Sequence, residues 1–301
     1  MAEQTLAREL QLALPGLTLR ENEPMSAHCA FRIGGPADLF AEPATEAEVL
    51  ALLAFLRARG VCPVFVGNGS NLLVHDAGIR GVVVHIGPAL GDIRREGETL
   101  RAGAGVTLAR LAVYAREQGL GGLEFAHGIP GSLGGAVMMN AGAYGGEMAQ
   151  VVSAVRYLDA NGEIAETADA EFAYRHSRFA RSGELILGAA VSLRPDDPET
   201  IHGRMQELWK KRSASQPLDQ PSAGSTFKRP VGGYAAAMID EAGCKGLSVG
   251  GAQVSEKHAG FIVNTGGASC ADVLALMEQV TDAVYQRFGV TLEPEVRVIG
   301  G

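Results

Sequence analysis

The sequence predicts a protein that combines α-helices with β-sheets, and three observations support this fold class. A helix at 45–59 has a capping box at Thr45 and Glu48, and a strand at 62–66 follows it. An Asn-Gly pair at 161–162 joins two alternating segments, which is typical of a β-hairpin. Apolar residues recur at helical spacing from Val273 to Val284, which predicts a long amphipathic helix.

The remaining elements follow from the same patterns, in chain order. Residues 1–23 predict a helix and a turn, and residues 195–198 (Pro-Asp-Asp-Pro) predict a linker. Further helices are predicted at 107–118, 200–212, 234–242 and 269–288. Strands are predicted at 82–86, 100–102, 151–159, 163–167, 185–193 and 261–264. Residues 31–38 predict a short strand and a turn, and residues 290–299 predict a strand that is interrupted at 293–295.

Length and composition are those of a globular protein of two or three domains. The chain has 301 residues, 47% of them hydrophobic and 20% charged. Its longest apolar runs, such as 49–56, fall far short of the roughly 20 residues that span a bilayer. Charged residues near the N-terminus and the lack of an apolar segment with a cleavage site argue against a signal peptide. A cytoplasmic protein without membrane contact is therefore expected.

Cysteine spacing and net charge exclude two further classes of function. The four cysteines are scattered without a CxxC pair, which predicts reduced thiols and no metal site. The net charge of −8 argues against nucleic acid as a partner. An anionic ligand must then be held by local cations.

Residues 121–148 are unusually rich in glycine, with nine among 28 positions. Glycine permits positive φ and lets another group lie against the main chain, and exposed N–H groups in such turns bind anions. The stretch predicts loops around a large, flat, phosphorylated cofactor. Tight turns between short strands remain the alternative.

A second glycine loop, residues 67–71 (GNGSN), follows the predicted strand 62–66. Its Asn-Gly pair is compatible with a simple hairpin turn as well as with a phosphate cradle. The third glycine of the dinucleotide fingerprint is missing and no Walker A sequence occurs, so a Rossmann dehydrogenase is not indicated.

Six segments taken together resemble the bacterial UDP-N-acetylenolpyruvoylglucosamine reductase family. The resemblance runs from about residue 24 to the end of the chain. The order and spacing of the segments are specific to the family, whereas any single segment would be weak evidence. They are GNGSN at 67–71, GIPGSLGGAVMMNAGAYGGE at 128–147, YRHSRF at 174–179, PSAGSTFKRP at 221–230, GGAQVSEKHAGFIVN at 250–264 and EPEVRVIG at 293–300.

The resemblance implies an α+β flavoprotein fold of the vanillyl-alcohol-oxidase type, with two FAD-binding subdomains and a substrate domain. The implied boundaries are 1–86 with 290–301 returning to it, 87–198, and 199–289. The short interval between Arg175 and Ser225 resembles the subgroup without an extra substrate loop.

The family reaction has two halves: NADPH reduces FAD, and the enolpyruvyl group of UDP-N-acetylglucosamine enolpyruvate is then reduced. The product, UDP-N-acetylmuramate, is a precursor of peptidoglycan. The resemblance therefore implies a role in cell wall biogenesis, and through it in cell shape, the cell cycle and cell division. Because residues 67–71 contain no His or Cys, FAD is expected to be non-covalent. A monomer is expected.

The resemblance assigns catalysis to Arg175, Ser225 and Glu295. Arg175 offers a permanent forked charge to the substrate carboxylate, Ser225 would protonate the carbanion, and Glu295 would share a proton or be balanced by Arg175. Structural alternatives are a salt bridge for Arg175, a backbone-bonded loop serine for Ser225, and a carboxylate capping the last strand for Glu295.

Two sets of binding residues accompany the catalytic ones. The predicted FAD contacts are Gly67, Asn68, Gly69, Ser70, Asn71, Gly128, Pro130, Gly131, Ser132, Gly134, Gly135, Asn140 and Gly142. The predicted substrate contacts are Lys228, Arg212, Gln253, His258 and Asn264, the first two for the UDP diphosphate. Another FAD oxidoreductase of the same fold and a catalytically silent UDP-sugar-binding protein remain as alternative functions.

Overall fold

The computed structural model describes residues 2–301, with side chains from Thr5 onward. Its α-helices are α1 Ala2–Ala13, α2 Glu46–Arg57, α3 Leu108–Glu117, α4 Leu133–Met138, α5 Pro198–Ser215, α6 Ala235–Glu241 and α7 Cys270–Phe288. Its strands are β1 Thr18–Pro24, β2 Pro36–Glu42, β3 Val64–Val66, β4 Leu72–Val74, β5 Ile79–His85, β6 Ile93–Glu96, β7 Thr99–Gly103, β8 Leu120–Gly121, β9 Gly142–Ala143, β10 Gly146–Glu147, β11 Val152–Leu158, β12 Ile164–Thr167, β13 Leu185–Ser192, β14 Arg194–Pro195, β15 Ser248–Val249, β16 Ala252–Val254, β17 Ile262–Asn264 and β18 Arg297–Ile299.

Three sheets of three or more strands carry the architecture. Their strand orders are β1-β2-β5-β3, β12-β11-β13-β7-β6 and β15-β16-β17, and the second and third are antiparallel throughout. Strand pairs β10-β9, β14-β8 and β18-β4 complete the pairing. Sheets and helices therefore coexist as the α+β class requires, which confirms the predicted fold class.

The chain divides into two compact units. The first contains the residues up to Arg20, Phe40–Asn68 and Val82–Arg212, and the second contains Glu21–Leu39, Gly69–Gly81 and Ser213–Gly301. In the second unit β18 pairs in parallel with β4, and the return of residues 290–301 to the first FAD-binding subdomain stays a prediction. The three-domain division at 1–86, 87–198 and 199–289 stays a prediction.

Local capping explains where the predicted helices begin. At the start of α2, the Thr45 hydroxyl accepts a hydrogen bond from the Glu48 N–H, as predicted. The Glu48 carboxylate bonds to the N–H of Ala44 at 2.8 Å, so the predicted capping box is only half formed. A complete capping box stands at α7, where Ser269 and Asp272 bond reciprocally.

The core of each unit forms where helices cover a sheet. In the first unit, α4 packs against β13 of the five-stranded sheet. In the second unit, α7 buries one face against the three-stranded sheet, and this core includes Val273, Leu276, Val280, Ala252 and Ile262. Among residues 2–301, no helix is long and apolar enough to cross a bilayer.

Several predicted elements were wrong in part. Residues 31–33 form no strand, since Arg32 has φ +56°, and β2 begins only at Pro36. The linker predicted at 195–198 lies inside the first unit, where it joins β14 to α5. Residues 18–24 form strand β1 where a turn was predicted. The strand was not predicted because the sequence TLRENEP is polar and mostly exposed, and so carries no apolar alternation. In the predicted strand 290–299, the interruption at 293–295 agrees with Pro294, which cannot donate to a ladder, but residues 290–292 form no strand and only β18 remains. Met1, included in the predicted N-terminal helix, lies outside the described residues.

Candidate active site

The loop at 67–71 has the backbone chemistry of an anion cradle. The N–H groups of these five residues donate no hydrogen bond to any other residue that the structure describes. Gly69 has φ +59°, and a Cβ there would lie 2.1 Å from the carbonyl oxygen of His28. A Cβ on Gly67 would lie 2.4 Å from the Ser132 hydroxyl oxygen, which can rotate away, so glycine is sterically required at position 69 but not at position 67.

The glycine-rich stretch at 121–148 offers similar groups. The N–H groups of Gly131 and Ser132 also lack a partner among the described residues. Ser132 is 2% exposed, and within residues 2–301 its hydroxyl makes no hydrogen bond. A Cβ on Gly134 would lie 2.9 Å from the Cβ of Ala104, and one on Gly142 would lie 2.6 Å from the carbonyl oxygen of Gly146.

These observations fit a phosphorylated cofactor. Unpaired N–H groups on glycine-rich turns bind a diphosphate without a cationic side chain. The Asn68 amide makes a long 3.4 Å bond to the Pro130 carbonyl and thereby joins the two loops within the first unit. The predicted FAD contacts at both loops therefore have suitable donors, and their individual contacts stay predictions.

Asn140 has a structural environment that the sequence did not indicate. It is 1% exposed, its φ is +41°, and both ends of its amide are bonded within the protein. Its nitrogen donates to the carbonyl oxygen of Ala173 at 3.0 Å, and its oxygen accepts from the N–H of Ala149 at 2.9 Å. Asn140 thus connects the glycine-rich stretch to the segment that carries Arg175.

Arg175 sits in a tight turn with left-handed backbone geometry. Ala173 and His176 exchange two backbone hydrogen bonds of 3.0 and 3.1 Å around it, and the φ of Arg175 is +53°. The fully buried Ser177 anchors the far side of the turn by donating to the Met138 carbonyl oxygen at 2.9 Å. The half-buried Arg175 guanidinium carbon lies 5.3 Å from the centroid of the neighbouring Tyr174 ring.

Ser225 and Glu295 are brought together in the second unit through Thr226. The Glu295 N–H donates to the Thr226 carbonyl oxygen at 2.8 Å, one residue beyond Ser225. Bridge pairs flank this contact, with Ser225 opposite Phe261 and Phe227 opposite Pro294. Both Ser225 and Glu295 are half-buried.

Thr226 is the buried centre of this arrangement. It is 2% exposed, its N–H donates to the Gly260 carbonyl oxygen at 2.8 Å, and its hydroxyl accepts from the Ile262 N–H at 3.0 Å. No local pattern in the sequence pointed to this threonine, because its partners lie more than 30 residues away along the chain.

The two predicted diphosphate cations lie in different units. Lys228 belongs to the second unit, and its ammonium lies 3.2 Å from the exposed Glu293 carboxylate. Arg212 belongs to the first unit, where its Cδ lies 3.0 Å from the position of a Cβ on Gly128. Burial lowers the pKa of the Arg212 guanidinium. Arg212 therefore lies beside the glycine-rich stretch at 121–148.

The other predicted substrate contacts are partly engaged within the second unit. The Gln253 amide donates to Ser248 at 3.1 Å, and the Asn264 amide bonds to Phe31 and to two N–H groups after β17. The His258 ring packs edge-on against Phe261, and burial lowers the pKa of His258, which favours the neutral imidazole. Their role toward a sugar or a base stays a prediction.

Comparison with known proteins identifies the class. Residues 37–168 match the family model described as FAD binding domain, and residues 216–299 match the C-terminal domain of UDP-N-acetylenolpyruvoylglucosamine reductase. The chain resembles a crystal structure of the reductase from Thermus caldophilus with a TM-score of 0.80 and 35% identity, covering 94% of this chain and 98% of that one. The fold and the glycine cradle thus define an FAD-dependent oxidoreductase with the predicted vanillyl-alcohol-oxidase-type fold.

Similarity to curated proteins specifies the family. The chain is 51% identical to the UDP-N-acetylenolpyruvoylglucosamine reductase of Heliobacterium modesticaldum, over 93% of this chain and 90% of that protein. It is 47% identical to the reductase of Agathobacter rectalis, with 99% of both chains covered. The chain belongs to the UDP-N-acetylenolpyruvoylglucosamine reductase family.

Proposed function

We propose that the protein reduces the enolpyruvyl group of UDP-N-acetylglucosamine enolpyruvate with electrons from NADPH, yielding UDP-N-acetylmuramate. Bound FAD would supply the hydride chemistry that no side chain can provide. Membership of the reductase family favours this activity over that of another flavin oxidoreductase of the same fold. The product class makes the protein a supplier of peptidoglycan precursor.

The protein's own residues would serve the second half of the reaction. Hydride added at the substrate methylene leaves negative charge on the α-carbon and its carboxylate. Arg175 would stabilise that charge through a permanent guanidinium, and the Ser225 hydroxyl would donate the proton that completes the lactyl group. Glu295 would share a proton in this step or be balanced by Arg175.

The observation that supports the roles of Ser225 and Glu295 is the hydrogen bond from the Glu295 N–H to the Thr226 carbonyl oxygen. This bond holds the segment that carries Glu295 beside the segment that carries Ser225. Such proximity is required if the Glu295 carboxylate is to support Ser225 as a proton donor. A loop serine with no such neighbour would be a weak candidate, because serine is a poor acid.

Binding roles follow from the same reasoning. The N–H groups of the two glycine loops would hold the FAD diphosphate non-covalently, and Lys228, with Arg212 second, would meet the UDP diphosphate. Gln253, His258 and Asn264 would contact the sugar or uracil. The arrangement of two FAD-binding subdomains and a substrate domain, a monomeric state and a cytoplasmic location complete the proposal.

An anaerobic two-step titration tests the proposed activity. NADPH is added to the flavin-loaded protein until the oxidised flavin band bleaches, and UDP-N-acetylglucosamine enolpyruvate is then added. Recovery of the oxidised band is expected. Bleaching without recovery would overturn the substrate assignment, and a protein that binds no flavin would overturn the cofactor loops and revive a silent sugar-binding protein.

A further inference from the structure

Asn71 makes two hydrogen bonds to the C-terminal segment that carries Glu295. Its side-chain nitrogen donates to the Glu295 carbonyl oxygen at 3.1 Å, and its own carbonyl oxygen accepts from the Arg297 N–H at 2.9 Å. Beyond Asn71, β4 and β18 pair in parallel from Leu72 opposite Arg297. Asn71 therefore extends the contact between the two segments past the end of the regular ladder.

Glu295 needs this support because no strand includes it. β18 begins at Arg297, and the preceding Pro294 has no N–H to donate. The N–H of Glu295 bonds to Thr226, and its carbonyl bonds to Asn71. Both backbone polar groups of Glu295 are thus held by segments distant in sequence, which fixes the peptide planes on either side of its Cα and so the direction of its side chain.

The backbone N–H of Asn71 is left available for another purpose. Its N–H is one of the five in the loop at 67–71 that lack a partner among the described residues. The side chain and the N–H of Asn71 therefore serve different neighbours. A substitution that alters only the side chain leaves the backbone donor for the cofactor in place.

We propose that Asn71 is a positioning residue for Glu295. Its amide holds the Glu295 backbone so that the carboxylate is aligned with Ser225 when the substrate carbon is protonated. This inference rests on the proposed catalytic role of Glu295. It assigns a task in the second half of the reaction to a loop that otherwise serves FAD.

The test separates the two halves of the reaction by stopped-flow spectroscopy. Flavin reduction by NADPH and flavin reoxidation by UDP-N-acetylglucosamine enolpyruvate are measured for wild type, Asn71→Ala and the isosteric Asn71→Asp, which cannot donate. Asn71→Ala is expected to slow reoxidation by about 10- to 100-fold, since small misplacements of a catalytic group have effects of this size. Flavin reduction, and FAD affinity measured by fluorescence quenching, are expected to change far less than reoxidation, because the substitution keeps the backbone N–H of residue 71.

Two further variants show whether Asn71 acts through Glu295. Asn68→Ala, in the same loop, is expected to change FAD affinity without slowing reoxidation selectively. In the double variant Asn71→Ala/Glu295→Gln, the asparagine substitution is expected to add no loss beyond that of Glu295→Gln, because the two residues act as one unit. Asn71→Asp is expected to show the same selective loss, which keeps the test decisive if Asn71→Ala does not fold.

Three results would overturn the proposal: equal slowing of both halves, no slowing in either asparagine variant, or additive losses in the double variant. Failure of the proposed function gives a different result, because the wild-type flavin would then not be reoxidised by the enolpyruvyl substrate. Normal reoxidation in Glu295→Gln would refute the role of Glu295 and with it the task of Asn71.

Discussion

The side-chain nitrogen of Asn140 donates a 3.0 Å hydrogen bond to the carbonyl oxygen of Ala173, two residues before Arg175. Asn140 belongs to the glycine-rich stretch, and Arg175 lies in a left-handed turn with φ +53°. A residue in that conformation persists when its surroundings hold it there. Asn140 on one side and Ser177 on the other supply that restraint.

Replacing Asn140 with alanine is expected to destabilise the protein and to weaken the second half of the reaction. The Ala149 N–H loses its acceptor, at roughly 1–3 kcal/mol for the unsatisfied group, while the Ala173 carbonyl keeps only its bond from the His176 N–H. Denaturant unfolding gives the stability, and stopped-flow reoxidation gives the effect on Arg175. Asn161→Ala, in an exposed hairpin turn, is the matched control. Unchanged stability in Asn140→Ala would contradict the role of this bond.

Arg175→Lys tests whether the forked geometry of the guanidinium matters. Lysine keeps the positive charge but cannot make two parallel bonds to a carboxylate. Reoxidation of the reduced flavin by the enolpyruvyl substrate is expected to slow by about 10- to 100-fold, with flavin reduction unchanged. The exposed Arg181→Lys, from the same region, serves as the control. A wild-type reoxidation rate in Arg175→Lys would argue for the structural alternative.

Asp76 is predicted to stabilise α7 from outside the helix. Its two carboxylate oxygens accept from the N–H groups of Cys270 and Ala271 at 2.8 and 3.0 Å, at the positive end of the helix dipole. Asp76→Asn is expected to lower the free energy of unfolding by about 0.5–2 kcal/mol, as for loss of a helix cap. Asp219→Asn is a matched surface control. Equal stability of the two variants would refute the contribution of Asp76.

The ion pair of Glu46 with Arg156 predicts a dependence of stability on pH. The Arg156 hydrogen bonds, at 2.5 and 2.7 Å, lower the pKa of Glu46 below its ordinary 4.5. Because the folded state binds this proton less readily, the pair stabilises the fold above that value, and its contribution is lost as pH falls through the lowered pKa. Both side chains are partly exposed, so the contribution is about 0.2–1 kcal/mol.

Unfolding of wild type and Glu46→Gln by urea at a series of pH values measures this effect. The variant is expected to be less stable at neutral pH, and the difference should shrink as the pH drops below 4.5. Glu163→Gln, an exposed carboxylate, controls for the loss of one charge. A difference that grows on acidification would have the wrong sign.

Local patterns predicted the elements whose stabilising contacts are close in sequence. The α2 helix was predicted from Thr45 and its apolar face, and α7 from the spacing of Val273 to Val284. Strand β1 was not predicted because its residues are polar. Its pairing with a strand distant in sequence leaves no local hydrophobic pattern from which the strand could be recognised.

The site could be predicted less completely than the fold. The glycine loops were recognisable because positive φ and close backbone approach require glycine, as at Gly69. The supporting contacts were not, since Asn71 and Glu295 lie 224 positions apart and Asn140 and Ala173 lie 33 apart. An asparagine gives no sign in the sequence of which distant carbonyl it binds.

Anaerobic stopped-flow measurement of both half-reactions in Ser225→Ala tests most directly whether Ser225 is the proton donor. Ser222→Ala, three residues earlier in the same loop, is the control. Normal flavin reduction by NADPH is expected in both variants, and reoxidation by the enolpyruvyl substrate is expected to slow about 10²-fold or more in Ser225→Ala, as for loss of a general acid. Equal slowing of both halves, or no slowing of either, would contradict the assignment of Ser225 as proton donor.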